Sequence, residues 1–197
     1  MESKKKKKTL SVKEILNNAI NNQNLEQIKK VISSGNVDIN QKIDKYSMCS
    51  LLYRACVRGY DDIVEFLLKQ PSIDVNLCNP LWVVAIFGEY PILAMLLGHK
   101  NINVNAKLIT TNLTPICGAA KEARPEVVKL LIRHGAIVDD YEIGYLNRYY
   151  VLNKEILLIL NNWKLYLPEW TSKTNRFFPK KNQRASFLFM VYIQSFE

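Results

Sequence analysis

One pattern in this sequence returns at intervals of about thirty residues. Ser50-Leu51-Leu52-Tyr53 leads to Ala55-Cys56, Gly59, Ile63-Val64 and Leu67-Leu68. Asn79-Pro80-Leu81-Trp82 leads to Ala85, Gly88, Ile92-Leu93 and Met95-Leu96, and Thr114-Pro115-Ile116-Cys117 to Ala119-Ala120, Val127-Val128 and Leu130-Leu131. Counted from Glu14, Ser50, Asn79, Thr114 and Ile143, the spacings are 36, 29, 35 and 29 residues. The units also close alike, on Asp38-Ile39-Asn40, Asp74-Val75-Asn76, Asn103-Val104-Asn105 and, more weakly, Val138-Asp139. Units this short cannot bury a core alone, so the chain must stack them.

Within a unit the apolar residues fall at helical spacing on two stretches parted by a glycine or its neighbour. Two short helices are therefore expected, not one long one. The predicted pairs are 50–58/62–69, 80–87/91–98 and 115–122/125–134, with connecting fingers around 41–48 and 106–113. The break in the third pair falls near Ala123-Arg124, and Pro125 suits the first turn of the next helix. Gly35 and Gly135 stand where a left-handed residue ends a helix at least cost.

These residues resemble the ankyrin repeat, T-P-L-H-x-A followed by two antiparallel helices and a β-turn finger; Thr114-Pro115-Ile116 is the clearest match. The resemblance implies an all-α ankyrin-repeat solenoid of about five helix–turn–helix units with short β-turn fingers. The expected layout is a basic tail over 1–10, repeats over 11–163 (units near 11–40, 41–76, 77–105, 106–140 and 141–163) and a distinct segment over 164–197. Terminal repeats lack a neighbour on one side and carry polar residues there; Asn17, Asn18, Asn21, Asn22, Lys29 and Lys30 fit a first unit of that kind.

By the same resemblance Thr114, Ser50 and Asn79 cap first helices, and Tyr53, Trp82 and Cys117, at the family's histidine position, pack between units. Function in such repeats lies on the fingers and the concave face of the first helices. The positions that map there include Tyr46, Arg58, Ile86, Phe87, Lys121 and Glu122, which are the candidate partner-binding residues. Ile86 and Phe87 would be apolar on a surface that is usually polar, and aromatic residues beside Arg and Lys have the composition of a protein–protein hot spot. The competing reading is a tilted unit that partly buries Phe87.

The net charge of +9 is uneven: +4 over 1–10, +1 over 11–162 and +4 over 163–197. A nucleic-acid-binding fold would carry its basic stripe on the folded body. Lys4, Lys5, Lys6, Lys7 and Lys8 read either as a weak polyanion-binding or nuclear-import run or as a solvated tail. Cys49, Cys56, Cys78 and Cys117 have neither zinc-ligand nor disulfide spacing and are expected to be buried reduced thiols. No nucleophile elbow, H-E-x-x-H or phosphate loop is present, so no catalysis, metal or cofactor is expected. Neither a secretory apolar region nor a run of about 20 apolar residues occurs. The expectation is a soluble intracellular monomer, cytoplasmic or, through the lysine run, nuclear.

Beyond Trp163 the pattern changes. Trp170-Thr171, Thr174 and Phe178-Pro179 resemble a W-T-x-x-T-x-x-x-F-P segment that follows ankyrin repeats in some proteins of large DNA viruses and protists. Asn175 replaces the usual histidine, and the following arginine is displaced to Arg184. The apolar element from Arg184 to Ser195 must be covered, because exposed it would aggregate. It is either a hydrophobic cap on the repeats or, as the poxviral resemblance implies, an F-box-like element that makes the protein a substrate adaptor for a ubiquitin ligase.

Overall fold

The computed structural model describes residues 10–35, 37–43, 49–150 and 154–166. These residues form ten α-helices and no strand, in two compact units divided between Cys78 and Asn79.

The first unit holds α1 (Val12–Asn21), α2 (Leu25–Ser33), α3 (Leu51–Arg58) and α4 (Asp61–Leu68). α1 opens on a capping box, in which the Glu14 N–H donates to Ser11 Oγ (3.3 Å) and the Ser11 N–H to Glu14 Oε2 (2.8 Å). Ser50 caps α3 through the Tyr53 N–H at 3.2 Å. Leu16, Ile20, Ile28, Leu51, Leu52, Ile63 and Leu67 are fully buried. The asparagines of α1 are not all an open polar face. Arg54 of α3 donates to Asn17 Oδ1 (2.9 Å) and Asn21 Oδ1 (3.1 Å), so those two join α1 to α3.

The second unit holds α5 (Pro80–Phe87), α6 (Tyr90–Leu97), α7 (Pro115–Lys121), α8 (Pro125–Arg133), α9 (Asp140–Tyr149) and α10 (Lys154–Tyr166). Proline occupies the first turn of α5, α6, α7 and α8, where its missing N–H costs nothing. α5 and α7 approach so closely that a Cβ on Gly118 would stand 3.1 Å from Ile86 Cγ1 and 3.4 Å from Trp82 Nε1.

The three predicted helix pairs lie where the repeat places them, within one residue at each end. The turn inside each of the first four pairs uses one left-handed residue: Gln23 (φ 49°), Gly59 (68°), Gly88 (74°) and Ala123 (52°). The recurrent closing phrase has a job as well. Asp38, Asp74 and Asn103 each accept the N–H two residues on, making a tight turn. The asparagine that follows reaches the next finger: Asn40 donates to Ser72 O (2.7 Å) and accepts from the Asp74 N–H (2.8 Å). Asn105 likewise donates to Gly135 O (3.0 Å) and accepts from the Ile137 N–H (2.8 Å).

Three expectations need correction. Thr114 stands at the start of α7 but its side chain makes no capping bond; its hydroxyl turns to Cys117 Sγ at 3.6 Å. The last helix pair starts at Asp140, ahead of Ile143, because Asp139 and Glu142 form a capping box there. Asp139 thus serves a helix start, not a fourth closing phrase. Finally, α10 continues past Trp163 to Tyr166, two residues before Pro168.

Candidate functional site

The candidate residues do not form one described constellation. Tyr46 lies outside the described residues, as do Lys4–Lys8, the W-T-x-x-T segment and the apolar element 184–195. Arg58 ends α3 in the first unit and is exposed. The other four belong to the second unit.

Phe87 is the last residue of α5 and stays 49% exposed, just before the left-handed Gly88 that turns the chain into α6. Ile86 beside it is only half-buried, and it packs toward Gly118 of α7. Its role is thus divided between the α5–α7 joint and the surface. Trp82 is half-buried at the same joint, and its indole N–H has no hydrogen-bond partner. That favours packing over display, since an indole facing solvent would find water.

Lys121 ends α7 and Glu122 caps it, and both are exposed. Their ion pair is loose at 3.4 Å, and the Lys121 ammonium lies 5.3 Å from the centre of the Tyr150 ring. Although burial works against the charge, Tyr150 and Glu122 more than offset it and hold the Lys121 pKa above its ordinary value. Lys121 is therefore a fixed cation on a tyrosine face.

That face was missed in the sequence. Tyr141, Tyr145 and Tyr149 recur every fourth residue on α9, a spacing that could have revealed them. Their rings follow one another at 6.5 and 4.8 Å, and Tyr145 also meets Tyr150 at 6.1 Å. Asp140, Tyr141, Gly144, Tyr145, Arg148 and Tyr149 line a shallow groove of about 320 Å³.

The thiols divide. Cys56 and Cys117 are buried, whereas Cys49 and Cys78 are only half-buried, which corrects the expectation for two of the four. Burial pushes the Cys56 and Cys117 pKa values well up, and the charge of Glu142 adds to the shift at Cys117. These are packing residues and poor nucleophiles. Among the described residues no three His, Cys, Asp or Glu side chains stand together as a metal site, and no helix is long and apolar enough to cross a membrane.

Comparison with known proteins agrees with the repeat. The family described as Ankyrin repeats (3 copies) matches residues 16–108, and a single Ankyrin repeat matches residues 111–141. An ankyrin repeat protein of fowlpox virus (strain NVSL) is 39% identical over 61 residues, 31% of this chain and 14% of that protein. The similarity therefore spans a small part of that relative. With both family matches falling on the helix pairs and fingers described above, the chain belongs to the ankyrin repeat family.

Proposed function

We propose that this chain is a non-catalytic protein-binding module whose partner is held by the ends of the first helices and by the fingers. In the second unit Phe87, Lys121 and Glu122 are the contacts, with the half-buried Ile86 beside Phe87 at the α5–α7 joint. Arg58 is the corresponding position of the first unit. The observation that carries the reading is Phe87, a large apolar side chain left 49% exposed at the C-terminal end of a first helix, on the edge where the fingers and first helices of such repeats bind. Its exposure costs solvation in the free protein and is recovered only against a partner.

A photo-crosslinking residue in place of Phe87 in the full chain tests this. It should form a discrete protein adduct in cells that Lys121→Glu weakens. With that partner purified, Phe87→Ala should cost ~2 kcal/mol or more of affinity. The same change should alter stability by less than about 0.5 kcal/mol, whereas Leu67→Ala, at a fully buried position, should cost ~2–5 kcal/mol of stability. If Phe87→Ala melts as early as Leu67→Ala while affinity per folded molecule is unchanged, Phe87 is core and the reading fails.

A further inference from the structure

The groove on α9 is self-complementary. Its lining residues, Asp140, Tyr141, Gly144, Tyr145, Arg148 and Tyr149, stand at the spacings of a single helix face. Asp140 lies at the N-terminal end and Arg148 near the C-terminal end, about 12 Å apart at the helical rise. Gly144 lies midway between them, four residues from each, and no described residue stands within 4 Å of where its Cβ would be. Tyr141 and Tyr149 are 56% and 61% exposed, so the groove walls are apolar rings open to solvent.

The molecule already shows what such a glycine accepts. At Gly118 the space is filled by Ile86 and Trp82 of the neighbouring helix α5, so closely that an added Cβ would press on Ile86 Cγ1 at 3.1 Å. Gly144 offers the same kind of floor with no described residue on it.

We infer that this face pairs with the same face of a second copy of the chain, α9 crossing α9 antiparallel about a two-fold axis at Gly144. An axis there sets Asp140 against Arg148 of the other copy, and Arg148 against its Asp140, because both lie four residues from the centre. The tyrosine ring of Tyr145 then covers the open floor at Gly144 of the other copy, as α5 does at Gly118. Antiparallel helices also bring opposite dipole ends together. A two-fold interface requires this kind of self-matching surface. Charge chooses the occupant: a parallel pairing would set Asp140 beside Asp140 and Arg148 beside Arg148. The tyrosines touch one another before association, so little side-chain freedom is lost on pairing. One helix face is small for an interface, so the dimer is weak, with a Kd of roughly tens of micromolar or above.

Sedimentation of the full chain across about 10 μM to 1 mM tests this. The sedimentation coefficient should rise with concentration toward a dimer. Asp140→Arg and Arg148→Asp should each weaken association about tenfold or more, and the double exchange Asp140→Arg/Arg148→Asp should restore it. Because both changes oppose the α9 dipole, thermal melts accompany each variant. Gly144→Cys in a Cys49→Ser/Cys78→Ser background gives a second readout, independent of those charges: mild oxidation should link two copies through that position, while Glu89→Cys in the same background should not. A chain that stays monomeric throughout overturns the inference. So does a dimer indifferent to the single reversals, or a Gly144→Cys variant that links no faster than Glu89→Cys.

Discussion

Glu142 of α9 accepts a hydrogen bond from the backbone N–H of Thr114, 28 residues away, at 2.8 Å. Its other carboxylate oxygen accepts from the Asp139 N–H at 3.2 Å, and the side chain is 1% exposed. One carboxylate therefore satisfies the chain start of α7 and of α9 together. It makes Glu142 the polar pin between two successive first helices, while the Cys117 N–H that a Thr114 cap would engage donates to Thr114 O at 3.0 Å instead.

Glu142→Ala would strand a buried N–H at Thr114 and a half-exposed one at Asp139. The expected loss is about 1–3 kcal/mol of unfolding free energy, with Glu142→Gln milder because its amide oxygen still serves one donor. Urea unfolding of the three proteins checks this. Equal midpoints would show that water replaces the carboxylate at no cost.

The finger asparagines predict a more local effect. Asn105→Ala removes both the donor to Gly135 O and the acceptor for the Ile137 N–H. The Ile137 amide should exchange with solvent about tenfold faster or more, in line with ~1.4 kcal/mol for the lost pair. Amides in the first unit, where Asn40 makes the same bridge to Ser72 and Asp74, should keep their rates. Acceleration spread over both units would point to global destabilisation instead.

The fold was legible because its signals are local and repeated. Ser50 and Asn79 cap, Gly59 and Gly88 turn, and an Asp/Asn-x-Asn phrase closes the first three units, so these copies corroborate one another. The misses arose where one residue's role depends on a distant one. Nothing near Thr114 announces that Glu142 takes over its N–H, and nothing near Asn17 announces Arg54. The candidate surface was less legible for the same reason. Phe87 could be placed at a helix end from spacing, but the division of Ile86 between joint and surface depends on Gly118. The tyrosines of α9 were visible at their fourfold spacing, yet lay in the last, degenerate unit where the repeat pattern gives least guidance.

The left-handed turn residues predict opposite outcomes for two substitutions. Ala123 holds φ 52° where two other pairs carry glycine, so Ala123→Gly should stabilise by about 0.5–1 kcal/mol. That raises the melting temperature by roughly 1–4 °C in a chain of this size. Gly88→Ala should lower it, since the added Cβ meets the Arg124 side chain at 3.3 Å besides adopting φ 74°. Calorimetry on both variants decides; a fall in both would mean that Ala123 is held in place by its methyl packing.

The buried thiols predict how stability changes with alkaline pH. Below the ordinary thiol pKa, about 8.5, Cys56 and Cys117 are protonated in both the folded and the unfolded chain and contribute no pH dependence. Above it the unfolded chain releases protons that the folded chain keeps, because burial has raised both folded pKa values. The folded state then binds more protons, so unfolding free energy falls as pH rises from about 8.5. The slope approaches about 1.4 kcal/mol per pH unit for each thiol fully ionised in the unfolded chain. Denaturant unfolding between about pH 8 and 9.5 should show this decline, before tyrosine ionisation near 10 adds to it. The Cys56→Ala/Cys117→Ala protein, whatever its absolute stability, should show a flatter profile. Ellman's reagent gives the independent check: Cys49 and Cys78 should react in the native protein, and Cys56 and Cys117 only on unfolding. Four thiols reacting at one rate, or an unchanged slope in the double variant, would mean that the joints around α3 and α7 open to solvent well below the global transition.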